Sequence, residues 1–375
     1  MNELIFKIPE FTFDHPIADL IIDLEKLREP QIRHTTTNKN TFMILKKIFH
    51  VLESVGSARI EGNNTTIADY ILDSDNPAKQ KQEDWQEISN IEAILDEIDD
   101  FGDELAINHN FIKNLHYRLV NGLSREGSRQ PGSYRSIDVK ISGSTHTPPS
   151  HLNVFSLMDN LINFINEAHP KKYDLLKIAI IHHAFVWIHP FDNGNGRVVR
   201  LLTYATLLKC GYQIDSMGRI LNPTAVFCSN RDAYYRNLEL ADNLNTNSIL
   251  QWSQYVLSGI KIEFEKLQQL AQNEFLLTNI LLPATDQLLA RGIVTTDELI
   301  VLKTGVVNEN FKKNDVTLKK STAQISRILA SLKDKNLIQS NSEIGRIYNV
   351  NFFNKYFISV IAAKLQEQHF LPTSL

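Results

Sequence analysis

Residues 189–200 read HPFDNGNGRVVR and bring one histidine, one aspartate, two asparagines, two glycines and two arginines into twelve positions. An imidazole with an ordinary pKa near ~6.5 suits proton abstraction at neutral pH, and a well-placed general base is worth roughly 100- to 10,000-fold in rate. His189 is the candidate base. Gly194 and Gly196 let the backbone approach a ligand, and a helix starting near Gly196 would turn its first unpaired N–H groups toward an anion. Arg197 and Arg200, three apart on that first turn, oppose the helix dipole unless something negative is bound. The stretch therefore predicts proton transfer beside a bound phosphate. It contains no GxxxxGK[ST], and its glycines lack the GxGxxG spacing of a dinucleotide fold.

The elements that must position these residues are helical. Phe42, Leu45, Phe49, Leu52 and Val55 recur at threes and fours, and Gly62, Asn63 and Asn64 stop the pattern, which predicts an amphipathic helix ending near Glu61. Further helices are expected over 84–99, 110–121, 153–167, 173–188 and 196–210. The segment 173–188, YDLLKIAIIHHAFVWI, is apolar nearly all round, as in a helix buried on every side that delivers His189 from the centre of a bundle. Between 127 and 150, Gly, Ser and Pro surround a short β-like SIDVKIS, which predicts a small hairpin or flap. Near the C-terminus a helical STAQISRILASLKDKNLIQ precedes an alternating SEIGRIYNVNFF; helix, helix and strand pair is the order of a winged helix-turn-helix.

Composition bounds the rest. The chain has 375 residues, 43% of them hydrophobic and 22% charged, with a formal charge of -4, which excludes a wholly basic nucleic-acid coat but permits a local one. Such a patch exists over 310–348, where eight lysines and arginines face three carboxylates. Two cysteines, Cys210 and Cys228, form no disulfide framework or four-ligand zinc site. With no secretory leader and no uninterrupted apolar run of ~18 residues, a cytoplasmic location and no membrane contact are expected.

The 189–200 stretch resembles the motif HPFx[D/E]GNGRxxR of the Fic family, matching at His189, Pro190, Phe191, Gly194, Asn195, Gly196, Arg197 and Arg200. PGSYR (131–135) is similar to the family's GxYR stretch, and Val139, Lys140 and Ile141 fall where its target-positioning flap belongs. The resemblance spans roughly 40–260. It implies a mainly α Fic-like core with a small β-hairpin flap that transfers AMP from ATP to a hydroxyl-bearing side chain of a target protein, which includes the chain itself as a target. By that likeness His189 is the base, the Gly194–Asn195–Gly196 backbone and Arg197 hold phosphates, Arg200 meets the γ-phosphate, and Tyr234 and Tyr235 lie on the nucleoside side. At the position of the family's acidic Mg²⁺ ligand stands Asn193, an uncharged candidate ligand, after Asp192. SARIEG (57–62) resembles the family's inhibitory [S/T]xxxE[G/N], with Ser57 and Glu61 one helical turn apart, so Glu61 is expected to pair with Arg200 and hold the enzyme inactive.

The expected division is an N-terminal helical region with the inhibitory helix (1–105), a Fic-like core (106–260) and a winged-helix domain (261–375). Two rival functions stand beside protein adenylylation: removal of AMP from a modified protein with Glu61 orienting water, and a DNA-binding regulator with a weakened nucleotide site. Lys319, Lys320 and Arg327 are the candidate DNA contacts, and a homodimer is left open. His182 and His183 read as core residues.

Overall fold

A computed structural model describes residues 6–28, 39–101, 104–212, 223–270, 272–340 and 347–371. Seventeen α-helices lie among them. The first eight are α1 (Pro16–Arg28), α2 (Lys39–Ile60), α3 (Ile67–Leu72), α4 (Pro77–Gln80), α5 (Glu83–Phe101), α6 (His109–Leu119), α7 (His151–Asn166) and α8 (Asp174–Ile188). Then follow α9 (Asn195–Lys209), α10 (Pro223–Cys228), α11 (Arg231–Ala241), α12 (Thr246–Leu270), α13 (Asn273–Leu276), α14 (Leu282–Ala290), α15 (Thr296–Asn308), α16 (Thr322–Asp334) and α17 (Lys355–Glu367). The mainly α class expected from the periodicity holds, and the six helices placed by it begin and end within two residues of their expected bounds.

Helix α8 occupies the centre. Twelve of its fifteen residues are buried, and α7, α9 and α12 pack around it. With no polar face, such a helix is stable only when wrapped on all sides. Trp252 of α12 reaches in to donate its indole N–H to the Ala179 carbonyl at 2.7 Å. His182 and His183 are core residues, as expected: His182 sits between the hydroxyls of Thr203 and Tyr234, and His183 meets Asp242 at 2.9 Å.

Against this centre, α2 packs on α5 and α10. Its inward face carries Glu53 and Ser57, and Glu61 follows on the same side in the turn just past its end. Glu53 accepts from both the backbone N–H and the hydroxyl of Thr224 at the start of α10. Burial pushes this carboxyl up to about 8, although Thr224 and the charges of Arg200 and His50 pull it down. The folded chain therefore keeps a proton that the unfolded chain releases, so the stabilisation is full below the unfolded pKa and is lost as pH rises toward the folded one. A Glu53→Gln variant, which keeps an acceptor for Thr224, should gain thermal stability over the parent progressively between about pH 5 and about pH 8. A Tm difference that stays constant with pH would contradict a neutral Glu53.

The only sheet among the described residues is three-stranded and antiparallel, in the order β1 (Asn310–Phe311), β3 (Tyr348–Val350), β2 (Ile338–Ser340). It lies with α15 and α16 in the C-terminal part. The flap segment 137–141 has no ladder of its own; instead of a hairpin it is an irregular excursion braced by side chains, Ser, Gly and Pro around it offering no paired strand. Helix α15 lies ahead of α16 in the expected helix, helix and strand-pair order, with β1 and a single 3₁₀ turn, Lys313–Asp315, between them. Residues 341–346, which hold the expected wing tip with Glu343 and Arg346, lie outside the described residues. Helix α12 runs unbroken across the expected boundary at 260 and ends at Leu270. The helix α17, unforeseen in the sequence, packs on α14 and on α3, with Lys355 and Asp75 paired at 2.9 Å.

Candidate functional site

Helix α8 ends at His189, whose backbone takes the left-handed conformation (φ 51°, ψ 62°) while its N–H still bonds to the Phe185 carbonyl at 3.0 Å. A non-glycine residue there is strained, and it holds only because its surroundings fix it. Arg135 supplies much of that constraint. Its Nε donates to the His189 carbonyl at 2.8 Å, its backbone N–H to the Pro190 carbonyl at 2.8 Å, and its remaining nitrogens to Ile137, Pro149 and Ile188 carbonyls. A buried guanidinium thus collects the carbonyls that the end of α8 leaves over, where a cation also suits the helix dipole. Burial lowers the His189 imidazole to about 4; the Val186 carbonyl and Glu61 raise it, and the charges of Arg135 and His146 add to the lowering. His189 is therefore a neutral base at physiological pH.

The turn that follows is braced from within. Asn195 accepts from the Phe191 N–H and donates to the Phe191 carbonyl, both at 2.9 Å. Gly194 stands at φ 78°, a conformation glycine adopts without cost, and serves as N-cap of α9. His116, on α6, stacks on Phe191 with ring centroids 3.8 Å apart. The Gly132 N–H can only donate to His116 Nδ1 (2.9 Å), so the proton sits on Nε2 and is shared with the Asn193 carbonyl (3.2 Å). Burial lowers His116 to about 4, which preserves this tautomer. Sequence reasoning passed over His116 and Arg135 as individual residues. The signal for His116 was its place on the buried stripe Ile112, Leu115, His116, Leu119 of α6, where a polar side chain needs partners.

A cleft of about 540 Å³ opens in front of this turn, lined among others by His189, Asn195, Gly196, Arg200, Glu61 and Tyr234. Ile141, Tyr235 and His146 also line it, with His146 Nε2 2.9 Å from the Trp187 carbonyl. Val139 is half-buried and Lys140 exposed, beside the cleft rather than in its lining. Tyr234 is buried, its hydroxyl donating to His182, while Tyr235 is exposed with the Arg231 guanidinium 5.5 Å from its ring.

The structure brings Glu61 and Arg200 together. Arg200 Nη2 donates to Glu61 Oε1 at 2.8 Å, and Ser57 binds the same guanidinium twice, hydroxyl at 2.8 Å and carbonyl at 2.9 Å. A Cβ added to Gly196 would come within 2.4 Å of that Glu61 oxygen, so the carboxylate lies against the first turn of α9. It holds the place where a helix N-terminus receives an anion. Burial alone would raise the Glu61 carboxyl, but the charges of Arg200 and Arg197 outweigh it and hold it below its ordinary value.

Arg197 is placed differently from the expectation. It is 1% exposed and absent from the cleft lining, because Glu87 takes Nη1 at 2.6 Å and Glu126 takes Nη2 through its carbonyl and carboxylate. Glu87 also accepts from Asn63 at 2.9 Å, just beyond the end of α2. Arg197 therefore ties the anion turn to α5 from behind. Asn193, the expected magnesium ligand, faces away as well: its amide nitrogen donates to the Gly127 carbonyl at 3.0 Å and its oxygen accepts the Gly194 N–H at 2.7 Å. Asp192 accepts from the Ser128 hydroxyl (2.5 Å) and the Arg129 N–H (2.9 Å). Neither side chain lines the cleft, and among the described residues no group of three or more His, Cys, Asp or Glu side chains could hold a metal. The donor set at this turn does not fit a magnesium ion.

Residues 106–207 match the Fic/DOC family. A protein adenylyltransferase Fic of Aedes aegypti is 29% identical over 223 residues, which cover 54% of this chain and 40% of that protein. One from Drosophila grimshawi is 30% identical over 203 residues, covering 52% and 38%. The chain spans less than half the length of these curated relatives. Among solved structures, a Fic family protein from Desulfovibrio desulfuricans G20 shares the fold over 92% of this chain and 98% of its own, at 18% identity and a TM-score of 0.54. Fic-1 (residues 134–508) from C. elegans aligns over 66% and 71%, at 19% identity and a TM-score of 0.54.

Proposed function

We propose, from the match of residues 106–207 to the Fic/DOC family, that this chain is a protein adenylyltransferase held inactive by its own Glu61. The observation that carries the reading is the Glu61–Arg200 pair seated over the start of α9 beside His189. When Glu61 withdraws, Arg200 and the α9 N–H groups are released to an ATP phosphate chain, with Arg200 nearest the γ-phosphate. Tyr234, Tyr235 and the Arg231 side chain border the nucleoside end, and Val139, Lys140 and Ile141 flank the path of a target segment. His189, neutral and accepting, takes the proton of a target hydroxyl as its oxygen attacks the α-phosphorus. The bond from that phosphorus to the bridging oxygen breaks, and pyrophosphate leaves. Transfer of label from α-labelled ATP to protein, its own chain included, tests this; release of AMP from pre-modified protein with no transfer would favour hydrolytic AMP removal, with Glu61 orienting the attacking water.

The misfit of Asn193 and Asp192 to a metal favours a second reading, in which the nucleotide site tunes a winged-helix DNA-binding unit. Helix α16 begins with a Ser321–Gln324 capping box and presents exposed Ala323, Ser326, Arg327 and Ala330, small residues around one cation that let a helix sit close to a groove. Lys319, Lys320 and Arg327 are all exposed, and Lys320 is also paired with Asp297 at 3.1 Å. Removing Lys319 or Arg327 should weaken duplex binding at low salt and flatten its log-log salt slope by about 0.9 each. Gel shifts that show no binding of the intact chain at low salt would turn this face over to protein docking.

A further inference from the structure

Two consecutive side chains of the anion turn are committed to one loop. Asp192 receives the Ser128 hydroxyl and the Arg129 N–H, and Asn193 gives its amide to the Gly127 carbonyl. The amide orientation is fixed, since the Gly127 carbonyl can only accept and the Gly194 N–H, 2.7 Å from the amide oxygen, can only donate. A carboxylate at position 193 would set an anionic oxygen against the Gly127 carbonyl and be driven out of that pocket. An amide has the one donor that satisfies it. The residue that removes a charged metal ligand from this turn is thus also the one that latches the turn shut on residues 127–129.

We infer that Asn193 is a latch rather than a metal ligand, and that this site takes its nucleotide without a divalent cation. The cations facing the cleft are Arg200, released when Glu61 leaves, and the exposed Arg231, together with the first turn of α9; Asp232, Glu239 and Asp242 line it too, Glu239 accepting from the Thr145 hydroxyl and Asp242 meeting His183. Arg197 offers the ligand no contact, because Glu87 and Glu126 hold it from the far side, and acts on the anion seat only through its charge, as it does on Glu61. The groups that the protein offers to the phosphates are therefore Arg200 and the N–H groups of the first turn of α9, with Asp192 engaged elsewhere. This rests on the nucleotide site proposed above.

Calorimetry of the full-length Glu61→Gly chain with ADP, once in EDTA and once in excess Mg²⁺, tests it. The expected result is an affinity in Mg²⁺ no more than twofold tighter than in EDTA. In Glu61→Gly with Asn193→Asp the latch donor is lost and a charged oxygen is freed, so Mg²⁺ should tighten ADP by about tenfold, the effect of adding one anionic ligand for a hard cation. Backbone hydrogen exchange at Ser128–Gln130 should rise in the same variant and in Asn193→Ala, a readout that does not depend on activity. A tenfold gain from Mg²⁺ in the Asn193 protein overturns the inference while leaving the nucleotide site intact. Absence of ADP binding in both buffers overturns the nucleotide site itself, and the inference with it.

Discussion

Replacing Glu61 by glycine is expected to raise labelling of both the chain and its targets by tenfold or more. The carboxylate is the anion already seated at the start of α9, 2.8 Å from Arg200 Nη2 and against Gly196, so a triphosphate must displace it before its own terminal phosphate can bind. Each tenfold gain asks for about 1.4 kcal/mol of relieved competition, well within what a charge-assisted Arg–carboxylate contact supplies. The substitution costs the fold little, because α2 ends at Ile60 and Glu61 belongs to the turn that Gly62 completes at φ 105°. Arg200 also keeps its orientation without Glu61, since Ser57 holds it through two bonds. The decisive control is Arg200→Ala: in that background Glu61→Gly should bring no gain, the partner for the γ-phosphate being absent. If Glu61→Gly leaves transfer unchanged but slows release of AMP from modified protein, Glu61 orients water and the inhibitory role falls.

That contact joins residues 139 positions apart, yet it was expected, because each partner sits in a short stretch that resembles a Fic-family motif: SARIEG at the end of one helix, GNGRVVR at the start of another. Residues whose roles depend on a partner elsewhere in the chain were not. Nothing near Arg197 announces Glu87, and without that buried pair the arginine reads as a phosphate ligand like its neighbour. Asn193 invited the same mistake: spacing assigns a position on a turn, but only the Gly127 carbonyl across from it decides which way the amide points. The six central helices were legible because burial of one face, or of all faces for α8, imposes a periodicity the sequence must carry. Residues 137–141 show the limit of that logic. Alternation there suited a strand, but a strand is defined by its neighbour, and this segment has none.

His189→Ala should lower labelling by roughly 100- to 10,000-fold, the range for a general base, while ADP still binds. The two halves separate because His189 delivers the imidazole, whereas the seat for the phosphates is built by Gly194, Gly196 and Arg200, whose supports are Asn195, His116 and Ser57. Arg135 contacts the His189 backbone and not its ring, so the turn keeps its shape when the side chain is cut back. The pH profile supplies an independent reading of the same group. Burial lowers the imidazole to about 4, and a base works only above its pKa, so labelling by Glu61→Gly should stay level as pH falls from about 8 to about 6. An ordinary exposed histidine would already halve the rate near pH ~6.5. Loss of nucleotide binding in His189→Ala would make the residue a structural post at the end of α8, and a fall in rate centred near that ordinary value would mean that the cleft is wetter around His189 than its burial requires.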